Sequence, residues 1–347
     1  MSIIKKNRST LILTISIIVI SVISVFIGAY NVNLAGLFSG DYNQVMLMLN
    51  SRLPRLLAIL CTGIGMSIAG LIMQNLCMNK FVSPTTGATI SSAQLGIVVA
   101  LVFMPTATLA TRTAFSFASA ILGTCIFVWF VQRIKFKDVI MVPLIGIMFN
   151  SVIGGFTSHI AYENDLTQVL SNMLVGDFSL VLAGRYEVVF LILPLVVVAF
   201  IYANHFNIVG MGENFSKNLG VNYKFVMFSG LAIAAVITAS VVVTVGTISY
   251  IGLIVPNIVS MFRGDKIRGS ILDVGLFGGL FVLVCDIIGR SILPLGDMIA
   301  GTPVQPFELP IELISGVIGG AVFLILMFKR LDDGSRKRKK KGVANNG

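Results

Sequence analysis

Charge is what this sequence has least of. Lys, Arg, Asp and Glu make up 12% of it, against roughly 25% in a soluble domain. So little polar material cannot cover a water-facing surface, which excludes an ordinary soluble protein. Histidine is nearly absent: His159 and His205 are far apart, so a histidine-built transition-metal cluster is excluded. The four cysteines, Cys61, Cys77, Cys125 and Cys285, sit inside apolar segments without a CxxC pair. They read as small buried apolar residues, not as a disulfide framework or a zinc site. No GxxxxGK[ST] phosphate loop occurs, so the chain does not bind ATP in that way. HExxH and GxSxG are missing too, as is any pair of carboxylates with a plausible base. An enzyme reading therefore has nothing to stand on, and no cofactor is expected on this chain.

What the chain does have is apolar length. Hydrophobic residues make up 56% of its 347 positions. Leu11 to Gly28, Val188 to Ala203 and Phe225 to Val245 carry no charge. Each approaches or reaches the ~17–25 residues needed to cross a ~30 Å hydrocarbon core. The first run is too long for a signal-peptide core and is read as a retained helix. Helices are expected at about 10–30, 53–77, 91–104, 113–131, 139–159, 187–204, 223–246, 247–262, 270–289 and 309–329. The fold class is thus all-α integral membrane, with about ten transmembrane helices in a single transmembrane domain over 1–347.

Charge gives the orientation. With the N-terminus (1–9) inside, the inner segments hold 20 of the 25 basic residues, including a basic tail from Arg336 to Lys341. The outer segments hold Arg52, Arg55, Arg112, Arg185 and Arg290. The positive-inside rule therefore places both ends in the cytoplasm. The tail, within 331–347, is expected to be disordered. In so apolar a chain, topology control and anionic lipid account for its charge better than nucleic acid does.

Some residues stand out against this background. Asp286 and Arg290 lie four apart on one helical face and can pair, which is a structural role first. Arg52, Arg55 and Arg290 share the expected outer face. They serve either as interfacial anchors or as a dock for an acidic partner surface, since Arg suits carboxylate pairing. Gly275 with Gly279, and Gly316 with Gly320, have the spacing that lets helices approach closely. Ordinary packing is the plain reading of these pairs, and a moving interface the sharper one.

At these residues the chain resembles the iron-siderophore and vitamin B12 class of ABC-importer permeases, the BtuC/FecCD type, over about residues 50–330. Ser51-Arg-Leu-Pro-Arg55 is similar to the family's R-x-P-R opening. Ala69-Gly70, Gln74 and Asn79 resemble its A-G-x-x-x-Q and N-P-L-A-x-P run. Gly212-Glu213 and Leu219-Gly220-Val221 resemble its L-G-E…L-G-V loop. Gly246 to Pro256 resembles its G-x-I-x-F-V-G-L-x-x-P signature, and Asp286-x-x-x-Arg290 with Glu308-Leu-Pro310 its D-x-x-x-R…E-L-P. Departures are Pro256-Asn257-Ile-Val-Ser260 for P-H-x-x-R, Asn79-Lys-Phe-Val-Ser-Pro84 for the N-P-L-A-x-P run, Glu312 for a Gly, and a longer 291–307 loop. The P-N-I-V form is similar to permeases for catecholate-type siderophores such as petrobactin or anguibactin.

The resemblance implies a ten-helix subunit in a bacterial cell membrane, dimerising with an identical or paralogous permease around the path. It implies two separate ATPase subunits that use ATP beneath, and a substrate-loaded binding lipoprotein or periplasmic protein above. Arg52, Arg55 and Arg290 fall at the binding-protein docking positions, Asn79 and Phe81 at the inner gate, and Gly212, Glu213, Leu219 and Gly220 at the ATPase-coupling loop. The implied cargo is a ferric siderophore, with haem or cobalamin as the alternative. An ion-coupled secondary transporter would need charges near the midplane, where Asp286 alone is a candidate. A scaffold or receptor would not need the Gly-Glu…Leu-Gly-Val loop.

Overall fold

In the computed structural model, residues 2–27, 41–133, 141–179, 181–184, 186–264, 267–300 and 308–325 are described. The tail 331–347, and with it Lys135, Lys137, Arg185 and Lys266, lie outside them. The described residues form helices and connections, without a strand. A chain this apolar has that outcome forced on it, because backbone amides in hydrocarbon must find partners within their own segment.

The long helices are α1 (Ser2–Phe26), α2 (Tyr42–Leu76), α3 (Thr89–Phe103), α4 (Leu109–Arg133) and α5 (Met141–Glu163). A short α6 (Thr167–Leu174) precedes α7 (Ile192–Val209), and a short α8 (Glu213–Asn218) precedes α9 (Tyr223–Thr244). The last three are α10 (Ile251–Arg263), α11 (Ile267–Ala300) and α12 (Ile311–Ile325). Ten of these twelve match the ten expected segments. Seven reach spanning length, and α3, α10 and α12 are shorter apolar helices. The chain is a multi-pass membrane protein.

Helix α2 is the centre of the bundle. It packs against α11, α9, α10 and α7, and 78% of its apolar window is buried, against 11% for α1. Its start was expected at 53, but the helix begins at Tyr42 and passes through a π turn at Met48–Arg52. Two backbone contacts set its neighbours. A Cβ on Gly63 would lie 2.5 Å from the Gly278 carbonyl, and one on Gly70 would lie 1.9 Å from the Gly252 carbonyl. The close approach of α11 therefore runs through Gly278, whereas a Cβ on Gly275 would meet only the side chains of Ile64 and Ile68, tightly at 3.3 Å, and one on Gly279 would make an ordinary contact at 3.4 Å. Gly316 and Gly320 face open space.

Two departures concern segment ends. The stretch from Ser291, expected as a loop, continues α11 to Ala300. Between α9 and α10 the break is wider than a single glycine: residues 245–250 leave the helix, with Gly246 at φ +93° and Tyr250 at φ +68°. At ~1.5 Å per residue, α10 is about 20 Å long and cannot cross the hydrocarbon alone. Part of that crossing is made by irregular backbone, which needs partners inside the protein. It has them: Thr247 N–H donates to Met173 O at 3.1 Å, and Asp177 N–H donates to Val245 O at 3.0 Å.

Candidate transport path and its two ends

The first end of the bundle is built on three arginines. Arg52 and Arg55 lie one turn apart on α2, and Arg290 is on α11. They were expected as exposed groups, and the structure corrects this. Arg52 is 7% exposed and Arg290 is 4% exposed. Arg55 Nη2 meets Asp286 Oδ1 at 2.8 Å, and its Nη1 pairs with Glu308. Arg290 pairs with Asp286 one turn away, as the spacing predicts, and donates to Ile27 O at 2.6 Å and Ser24 O at 3.0 Å. Arg52 donates to the same Ile27 carbonyl at 2.8 Å. The physical reason is proximity: two carboxylates far away in sequence come within reach of α2, and guanidinium groups buried beside them are paired rather than left as uncompensated charges. The orphan carbonyls at the end of α1 are capped by the same cations.

The second end holds the turn after α2. Asn79 is buried, and its side-chain oxygen accepts from Phe81 N–H at 2.9 Å, closing an Asx turn. Asn257 of α10 donates to Lys80 O at 2.8 Å, and Gln74 donates to Gly252 O and Leu253 O at 3.1 Å. Asn257, noted in the sequence for the absence of a histidine, thus ties α10 to this turn. Phe81 stacks edge-on against Phe323 of α12, with centroids 5.8 Å apart. Sequence reasoning missed Phe323, because nothing in a run of apolar residues marks which one meets the turn.

The same end carries the connection between α7 and α9. Gly210 abuts Asn75 of α2, which places it beside the Asn79 turn. Gly212 has φ +108° and Gly220 φ +72°, conformations that suit glycine. Between them runs α8, whose Glu213 pairs with Lys217 at 2.9 Å. That pairing, first through its hydrogen bond, holds the Glu213 carboxyl below the usual range. Leu219 is 55% exposed, as are Met211 at 58% and Phe215 at 46%. Phe215 lies on α8, while Met211 precedes it and Leu219 follows it, so the connection carries three exposed large apolar side chains. Sequence reasoning named Leu219 alone of the three.

Helices α3, α5 and α6 border an open groove of about 310 Å³ lined by Ser91, Gln94, Ile147, Asn150, Ser151, Gly154, Ser158, Leu170 and Leu174. The α5 residues recur at three or four positions, so they form one stripe of a spanning helix. Ser91 donates to Asn150 Oδ1 at 2.9 Å, Asn150 donates to Thr85 O at 2.6 Å, and Gln94 donates to Met173 O at 3.3 Å. These bonds give the part-buried amide and hydroxyl groups of α3 and α5 protein partners, as apolar surroundings require. No group of acidic, cysteine or histidine residues able to hold a metal is present among the described residues.

The architecture is that of a multi-pass helical membrane protein, with an ordered turn at one end and exposed apolar side chains beside it. The chain belongs to the FecCD transport family, whose sequence pattern matches residues 15–329. It is 43% identical over 318 residues to the petrobactin import system permease protein of Bacillus subtilis (strain 168), covering 92% of this chain and 97% of that one. It is 34% identical to the ferric-anguibactin transport system permease protein of Vibrio anguillarum, over 88% of this chain and 94% of that one. Among solved structures, a putative metal-chelate type ABC transporter in an inward-facing conformation superposes with a TM-score of 0.76 at 22% identity, covering 93% of this chain and 99% of that one. That superposition establishes the fold. As a FecCD-family permease the chain is a transport subunit and not an enzyme.

Proposed function

We propose that this chain is the permease of a bacterial importer for ferric siderophores of the petrobactin and anguibactin kind. The observation that carries the reading is the near-full-length likeness to the Bacillus petrobactin permease. The groove along α3 and α5 supports it, since its lining is uncharged and mostly apolar with a few amide and hydroxyl groups, the usual make-up of a small-molecule site. Both termini lie in the cytoplasm, following the distribution of basic residues. The Arg55 end is then outer and the Asn79 end inner.

In this arrangement Asn79 and Phe81 close the inner mouth. Two ATPase subunits bind below and supply ATP hydrolysis, contacting Gly212, Glu213, Leu219 and Gly220 together with Met211 and Phe215. A second permease chain completes the path, and a binding lipoprotein or periplasmic protein docks above. The docking surface includes the Arg52, Arg55 and Arg290 positions, which act by ordering the outer rim through Asp286 and Glu308. Reconstitution tests the reading. The chain with its ATPase and binding protein in proteoliposomes should accumulate ferric siderophore only with ATP. Accumulation by the chain without an ATPase would overturn it.

A further inference from the structure

Helix α12 touches both the irregular 245–250 stretch and the turn at Asn79. At its start, the Glu312 carboxylate accepts from Ser249 N–H at 2.7 Å and from the Ser249 hydroxyl at 2.6 Å. The Glu312 N–H donates to Gly176 O at 3.3 Å. A carboxylate at membrane depth is costly and is kept where it does something. Among the described residues this one is paired with no cation; its partners are the two donors of one serine. The next residue, Tyr250, holds φ +68° immediately before α10, a conformation that a non-glycine residue keeps only when its surroundings enforce it. Two turns along α12, a Cβ on Gly319 would come within 2.7 Å of Tyr250 Cβ. One turn further, Phe323 meets Phe81. Glu312, Gly319 and Phe323 are seven and four residues apart, so one face of one helix carries all three contacts.

We infer that α12 is a rod between the 245–250 stretch and the inner turn, with Glu312 and Phe323 as positioning residues at its ends. The Glu312 clasp on Ser249 fixes the rod, and the fixed rod holds Phe323 against Phe81 and the turn closed. The two ends are ~16 Å apart along the helix, eleven residues at ~1.5 Å each. Helix α10 makes the parallel tie, since Ser249 and Tyr250 lead into it and its Asn257 holds Lys80 O. A change at Ser249 therefore reaches the turn by two packed elements with discrete contacts, which is how coupling is carried. The inference rests on the importer reading for its gate and goes beyond it in naming what holds that gate.

The test uses a native thiol. Cys77 is 8% exposed and lies two residues before Asn79. In the assembled importer carrying Cys61→Ala, Cys125→Ala and Cys285→Ala, Cys77 is labelled by a membrane-impermeant maleimide from the inner side. Glu312→Ala should raise the labelling rate about tenfold, the change that ~1.4 kcal/mol of lost charged hydrogen bonding produces. Ser249→Ala, which removes the hydroxyl bond and keeps the amide bond, should raise it less, and Phe323→Ala should raise it as Glu312→Ala does. Labelling unchanged in both Glu312→Ala and Ser249→Ala overturns the inference, including when melting temperature falls, because that pattern is a local structural role. If Glu312→Ala does not assemble, Ser249→Ala decides alone. Labelling needs no transported chelate, so a loss of chelate uptake bears on the functional reading and unchanged labelling on this inference.

Discussion

Asp286→Ala should destabilise the isolated permease far more than Arg55→Ala. Asp286 is 3% exposed and holds two guanidinium groups, Arg55 at 2.8 Å and Arg290 on its own helix. Its removal leaves Arg290, itself 4% exposed, with carbonyl and hydroxyl partners but no counter-charge. Removing one partner of a buried ion pair costs about 3–5 kcal/mol, mostly the penalty of the stranded charge. Arg55→Ala is milder. Asp286 keeps Arg290, and the Glu308 side chain, 17% exposed, can turn to water. The cost is then about 1–3 kcal/mol. The two arginines share a carboxylate, so Asp286→Ala and Arg290→Ala combined should cost less than their sum, by about 0.5–3 kcal/mol. The assay is thermal unfolding of the detergent-purified chain, comparing the single variants and the double variant. Equal, small losses for Asp286→Ala and Arg55→Ala would refute the buried-network account and return the arginines to the water boundary.

Four further outcomes follow from the geometry. Gly70→Val should prevent correct packing of α2 on α10, because its Cβ would already lie 1.9 Å from the Gly252 carbonyl; protease resistance in membranes reads this out, and a normal digestion pattern would contradict it. Phe81→Ala should raise basal ATP hydrolysis of the assembled importer severalfold without substrate, and an unchanged basal rate would leave Phe81 as packing. Met211→Asp with Phe215→Asp should abolish co-purification of the ATPase while the permease melts as before, since both side chains are exposed. Ser151→Leu should slow chelate uptake while leaving basal ATP hydrolysis unaltered, because it changes the groove wall and its hydroxyl bonds only within α5, to Ile147 O.

The spans were legible because each carries its own signal: an apolar run long enough to cross, read without reference to any neighbour. Even α10, with 13 residues, could be seen from its flanking signals. The extension of α2 back to Tyr42 could not, since Asn43, Gln44, Asn50 and Ser51 give it the composition of a loop; its start is set by Asp41, whose side chain accepts from Asn43 N–H at 3.1 Å as an N-cap. The arginines show the same limit. That Arg55 lies near the start of its span was legible. Its partners Asp286 and Glu308, however, are 231 and 253 residues away, and no local pattern announces a contact of that range. The Asp286–Arg290 pair was visible because it obeys a helical spacing. The turn at Asn79 was found by resemblance, while its supports Asn257 and Phe323 emerged only from packing.

The most direct measurement is uptake of radiolabelled iron by a strain lacking this permease and by the same strain with the chain restored. Iron is supplied as a ferric catecholate siderophore, with haem and cobalamin run in parallel. The account predicts that siderophore-bound iron uptake is lost on deletion and returns with the chain, while haem and cobalamin uptake do not change. Unchanged siderophore uptake in the deletion strain, with haem or cobalamin uptake lost instead, would contradict it.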